Sequence, residues 1–196
     1  MNLIEIEKIY LILILVFFIL AFAIKNVKTY LSAKRSIRGK SFKLSMSILL
    51  STLIYVLLLL RLTFLDSKWL LEIDLTIYPI LNILGLLLVS IGFVIGLLAL
   101  KAMRNSWRVG IKYDQKTELI SSGIYRLSRN PYFLSYNLLI LGYLFIFPSI
   151  ILFALYLALV ITFHFMILQE EDYLESMHGE NYITYKKKVK RYFTLK

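Results

Sequence analysis

The feature that most constrains this sequence is a set of long runs without a single Asp, Glu, Lys or Arg, at residues 9–24, 44–60, 75–100 and 132–168. A hydrocarbon core about 30 Å thick needs roughly 20 helical residues, with a lower limit near 17. The last run is too long for one crossing, and Pro148 divides it into 132–147 and 149–168. Runs 75–100 and 149–168 span comfortably, and 44–60 just does. Runs 9–24 and 132–147 have 16 residues each, so they must borrow flanking residues or thin the bilayer. The expected fold is all-α and integral to the membrane, with about five transmembrane helices.

The 23 basic and 12 acidic residues all lie outside these runs, and their distribution sets an orientation. Segment 25–43 carries seven basic residues and no acid, segment 101–131 seven against two, and segment 169–196 six against five. Segments 1–8 and 61–74 each come out one charge negative. Alternating across five spans puts every basic segment on one side, which the positive-inside rule makes the cytoplasm. The amino terminus is then outside and the carboxyl terminus cytoplasmic. A cleaved signal peptide is the rival reading of 1–24, since Ala21-Phe22-Ala23 resembles a cleavage site. Glu5 and Glu7 ahead of the run oppose it. The net charge of +11 is accounted for by loops beside anionic lipid, so no nucleic-acid partner is expected. The absence of cysteine excludes disulfides, thiolate catalysis and cysteine–zinc sites. Together with abundant Lys and Ile it points to a prokaryotic plasma membrane.

Residues 1–100 read as a three-span scaffold and 101–196 as the region that carries chemistry, within a single folded unit. Gly85, Gly92 and Gly96 share one face of the third span and allow another helix to approach closely. Asn82 and Ser90 are suited to joining helices by hydrogen bonds, and Trp107 to anchoring at the interface. The polar segment 101–131 mixes turn formers with apolar and aromatic residues, the pattern of a functional loop packed against something. Past Gly179, residues Tyr182, Tyr185, Val189 and Phe193 recur at roughly helical spacing among Lys186, Lys187, Lys188, Lys190 and Arg191. That is an amphipathic helix, either a lipid anchor or a lid over a pocket.

Three places carry candidate chemistry. Asn130-Pro131 starts the fourth span as N-cap and first helical residue, and Arg126 and Arg129 gather beside it. Backbone N–H groups and an Arg at a helix start suit a ligand carboxylate or phosphate. Glu170 and Glu171 end the fifth span, where carboxylates oppose the helix dipole. Their placement reads either as a solvated extension or as a cation site. His164 lies inside a run, either as a functional group or as a neutral imidazole bonded to a neighbour. There is no glycine-rich phosphate loop, no dinucleotide fingerprint, no metal-ligand spacing and no Ser-His-Asp constellation.

Residues 119–125 (Leu-Ile-Ser-Ser-Gly-Ile-Tyr), 129–135 (Arg-Asn-Pro-Tyr-Phe-Leu-Ser), 170–174 (Glu-Glu-Asp-Tyr-Leu) and 179–185 (Gly-Glu-Asn-Tyr-Ile-Thr-Tyr) form an ordered series. The series resembles the integral membrane methyltransferases of the isoprenylcysteine carboxyl methyltransferase and phospholipid methyltransferase group. Their pattern runs Leu-Val-x-x-Gly-x-Tyr, Arg-His-Pro-x-Tyr-x-Gly, a helical hairpin, Glu-Glu-x-x-Leu and Gly-x-x-Tyr-x-x-Tyr. The likeness covers about residues 100–192. Asn130 stands at the family's His, Phe133 at its Tyr and Ser135 at its Gly. Met166 stands where the carboxyl methyltransferase branch has an Arg for the substrate carboxylate, which points away from an isoprenylcysteine substrate.

The resemblance implies an S-adenosylmethionine-dependent methyltransferase acting on a lipophilic or membrane-associated substrate. It also implies that Thr117, Glu118, Leu119, Ile120, Tyr125, Asn130, Pro131, Tyr132, Phe133 and Glu170 line the cofactor pocket. Within that frame Glu170 is expected to hold the cofactor's ammonium. Arg129 or the helix start would hold its carboxylate, and Tyr125 would face the adenine or the sulfonium. Two alternatives stand beside it: an NADPH-dependent membrane enzyme like the sterol reductases, and a non-catalytic membrane protein that keeps the fold. The acid pair Glu170-Glu171 opposes a phosphate-bearing cofactor.

Overall fold

The computed structural model describes residues 3–34, 36–75, 77–111 and 118–194, and in it the apolar runs become helices. These are α1 (Leu3–Ala33), α2 (Phe42–Thr63), α3 (Pro79–Ala102), α4 (Pro131–Ile146) and α5 (Ile150–His178), followed by a short α6 (Glu180–Lys188). No β-strand forms among the described residues. Four segments are long and apolar enough to cross a membrane: Glu5–Ser32, Phe42–Thr63, Pro79–Ala102 and Ile150–His178. The fifth apolar helix, α4, has 16 residues, about 24 Å of helix against a core of about 30 Å. The two short runs therefore solve the same problem differently. Run 9–24 extends at both ends into its charged flanks, giving a 31-residue helix. Run 132–147 cannot extend, because Pro131 fixes its start and Pro148 follows its last turn.

α3 and α4 are the most intimately packed pair, and the glycine face is the reason. A Cβ added at Gly92 would lie 2.8 Å from the Leu139 nitrogen and the Ser135 carbonyl oxygen. One at Gly85 would lie 2.7 Å from the Gly142 oxygen, and Gly142 meets Gly85 reciprocally. α1 is tied to α3 by Asn82 Nδ2 donating to Glu7 Oε2 at 3.0 Å and by Tyr10 Oη with Ser90 Oγ at 2.7 Å. The core between the helices holds Leu11, Phe18, Ile54, Leu58, Val89 and Tyr143. The Tyr143 hydroxyl donates to the Leu11 carbonyl at 2.6 Å. Outward faces carry Phe17, Leu53, Leu87, Val94, Phe153 and Ile161, all exposed, as a lipid-facing surface requires.

The three basic segments meet at one end of the bundle. Lys25 Nζ donates to the Arg104 carbonyl at 2.7 Å, and Arg38 bridges to Val109. Trp107, expected at the lipid interface, is buried instead. A 3-10 turn at Arg104–Ser106 folds the chain back under α1, where the indole N–H donates to Asn26 Oδ1 at 2.7 Å and the ring packs on Phe22 and Tyr132. The tail helix is also shorter than its spacing predicts. α6 ends at Lys188, where Val189 turns extended. Tyr182, Tyr185 and Val189 pack inward with Tyr125, Leu119 and Leu174, so the apolar face covers protein rather than lipid. His164 bonds to the tail, its Nδ1 2.6 Å from Tyr192 Oη.

Candidate active site

A cavity of about 370 Å³ opens where α1, α2, α4 and α5 converge beneath α6. Of the residues chosen from sequence, Glu118, Leu119, Ile120 and Tyr125 line it from the 118–126 segment. Arg129, Asn130, Tyr132 and Phe133 line it from the start of α4, and Glu170 from α5. Pro131 is fully buried at the first helical position, behind the wall rather than on it. Thr117 lies outside the described residues. Glu118 is placed by its backbone N–H, which donates to Ser106 Oγ at 3.2 Å. Tyr125 sits in a 3-10 turn at Gly123–Arg126, entered through Gly123 at φ +61°, a conformation that favours glycine.

The neighbouring carboxylates differ because they lie about 100° apart around the helix. Glu171 is buried and accepts from Arg129 Nη2 at 2.7 Å and from Arg191 Nη2 at 2.9 Å. Burial alone would push its carboxyl up. The hydrogen bonds from Arg191 and Arg129 outweigh that and hold it below the ordinary carboxylate value. Glu170 has no ion-pair partner among the described residues and faces the cavity. It lies past Leu168, where the apolar run has ended and α5 projects beyond it. Burial, with the Glu171 charge beside it, pushes its carboxyl up to about 7. The Tyr125 hydroxyl is also pushed up, by burial and then by Glu170, so it stays protonated.

Two sequence expectations shift here. Arg129 is already engaged within the protein: it donates to Glu171 and, through Nη1, to the Lys186 and Val189 carbonyls at 3.1 and 3.0 Å. It is a buttress that binds α4 to α5 and the tail. Asn130 occupies the N-cap position, but its side chain makes no capping bond. Its Nδ2 donates instead to the Arg191 carbonyl at 3.2 Å. The N–H groups of the first turn of α4 are therefore left without a side-chain cap. Around this point the tail is sewn to the loop, with the Arg129 N–H donating to the Lys190 carbonyl and the Thr194 N–H to the Leu127 carbonyl.

The opposite half of the cavity is walled by Phe18 and Phe22 of α1 and by Ser47, Ser51 and Tyr55 of α2. Tyr136, Phe163 and Met166 also line it, as do Met103 and Trp107 from the segment after α3. Phe163 meets Phe133 and Tyr136 edge-on, with ring centroids 4.9 and 5.3 Å apart. One buried hydroxyl on the cavity wall, Tyr182 Oη, makes no hydrogen bond among the described residues.

The family model for phospholipid methyltransferases matches residues 80–181, just over half of the chain. The chain belongs to that family. It is thereby a membrane methyltransferase by family, with a helical membrane fold to match. No curated protein matches the chain. The family's matched span runs from α3 through the first residues of α6, so it contains the acid-lined end of the cavity. It excludes α1 and α2, which sequence reasoning assigned to the scaffold and which wall the apolar end. Their one legible signal is Ser47, Ser51 and Tyr55 at i, i+4 and i+8, a polar stripe along one face of an apolar helix. Glu171 and Arg191 were missed as a pair, since nothing local marks a contact between positions 20 residues apart.

Proposed function

We propose that this chain is an S-adenosylmethionine-dependent methyltransferase whose acceptor is a lipophilic or membrane-associated small molecule. The observation that carries the reading is one continuous cavity with a carboxylate at its polar end and apolar helix faces at the other. A cytosolic cofactor and a membrane-borne acceptor need such a meeting place. The volume lies within the range of small-molecule sites.

The residues fit the cofactor. Glu170, turned to the cavity without a counter-ion, suits an ammonium or a sulfonium. Since Arg129 is committed to Glu171, the cofactor carboxylate falls to the uncapped N–H groups at the start of α4. Tyr125 and Phe133 offer ring faces to adenine or to a cation. Leaving a buried hydroxyl unpaired costs roughly 1–3 kcal/mol, so a ligand that pairs Tyr182 Oη recovers that energy. When bound, S-adenosylmethionine supplies an electrophilic methyl group on a sulfonium. Phe133, Tyr136, Phe163 and Met166 exclude water from the apolar half, where the acceptor is aligned by positioning and not by acid–base groups. The basic loops support placing this end of the bundle in the cytoplasm.

The test is transfer of label. Protein in lipid nanodiscs, given methyl-tritiated S-adenosylmethionine and bacterial membrane lipid extract, is expected to move tritium into the organic phase. Glu170→Lys should reduce that transfer at least about tenfold. Label that never leaves the aqueous phase with any extract would contradict the acceptor class.

A further inference from the structure

α6 and the tail behind it form a two-faced cover. The inner face is settled: Tyr182 and Tyr185 line the cavity, and Val189 is buried beside them. The outer face carries Lys187, Lys188 and Lys190, all exposed, and none of them makes an ion pair among the described residues. Lys186, half-buried, is already paired with Glu175 at 2.9 Å.

The tail that carries this basic face runs back to the end of the apolar run of α5. After Arg191 the chain turns toward α5, and Tyr192 reaches His164, which lies inside the apolar run one turn before its end at Leu168. The two rings stack with centroids 6.3 Å apart. Tyr192 and Phe193 remain exposed, Phe193 by 54%. At the adjacent position of α5, Lys43 Nζ lies 5.9 Å over the Phe165 ring, and Phe42 beside it is 78% exposed. Exposed aromatics next to lysines at the margin of an apolar band are the composition of a headgroup-level surface. A solvated charge run would account for the lysines alone. It does not account for aromatics carried down to the level of His164.

We propose that Lys187, Lys188 and Lys190 dock the cover on anionic lipid headgroups, and that docking holds α6 closed over the cavity. The tail couples the two events. Residues 186–191 supply the carbonyls that Arg129, Ser128 and Asn130 hold, so fixing the lysines also fixes Tyr182 and Tyr185 over the site. Each lysine near an anionic surface favours association roughly fivefold, and three give on the order of 100-fold. Anionic lipid content would thereby set how often the cavity opens to the aqueous side.

The experiment needs neither cofactor nor acceptor, so it stands or falls apart from the methyltransferase reading. Amide hydrogen exchange is followed for residues 180–194 of the full chain, in phosphatidylcholine nanodiscs with and without about 30 mol% phosphatidylglycerol. Anionic lipid is expected to slow exchange at least about tenfold, and about 0.5 M salt to reverse it. The triple variant Lys187→Glu, Lys188→Glu, Lys190→Glu is expected to show no such slowing, while α5 exchanges as in the parent. Equal exchange of the parent protein in the two lipids would overturn the proposal, as would equal slowing in a folded triple variant. Should the variant fail to fold, the lipid and salt comparison on the parent decides alone.

Discussion

Glu170 and Glu171 are chemically identical and adjacent, yet one is neutralised by two arginines and the other is held in reserve near neutrality. A cation bound against Glu170 requires its ionised form. With a carboxyl near 7, that form declines about tenfold between pH 8 and pH 6. S-adenosylmethionine affinity should therefore weaken by about the same factor over that range in calorimetric titrations, and Glu170→Gln should bind weakly at every pH. An affinity independent of pH in the parent would remove Glu170 from the site. Glu171→Gln should act on stability instead, because it strands the Arg129 charge in a buried position. A loss of about 3 kcal/mol is expected, seen as a lower unfolding midpoint in detergent. At this scale the sequence marked Glu170 through its unfavourable helix-end placement. It could not reveal that Arg129 is spoken for, because Glu171 lies 42 positions away and the Lys186 and Val189 carbonyls farther still.

The helices themselves were the most legible elements, since a run without charges states both its type and its environment. What closes one helix on another was half legible. Gly85, Gly92 and Gly96 announced a close approach, and the structure names its partner as α4, with Gly96 also facing Phe18 of α1. Gly92→Ala should force α3 and α4 apart, because its new methyl meets the Leu139 nitrogen and the Ser135 oxygen, backbone atoms that cannot rotate away. A destabilisation of about 1–3 kcal/mol is expected by thermal unfolding in detergent. Ala at Gly123 has open space around its methyl, so any effect there would come from the positive φ alone. The shortening of α6 was not legible. Residues 182–193 keep a helical spacing of aromatics, but backbone bonds from Arg129 to Lys190 and from Thr194 to Leu127 draw the chain extended after Lys188. Those bonds link segments some 60 residues apart, and local periodicity carries no record of them.

Across the whole molecule, two halves of the chain contribute to one cavity. The polar end comes from the loop after α3, the start of α4, the projecting end of α5 and α6, nearly all within the family match. The apolar end takes α1 and α2 from outside it, which is why residues 1–100 read as scaffold when taken alone. S-adenosylmethionine is the cofactor on which the proposed activity depends, and calorimetry of the detergent-purified protein tests its binding, with NADPH as the control and Glu170→Lys alongside. Micromolar binding of S-adenosylmethionine is expected, at least about tenfold weaker in the variant, and none of NADPH. Absence of S-adenosylmethionine binding, or binding that Glu170→Lys leaves unchanged, would contradict the proposed cofactor site.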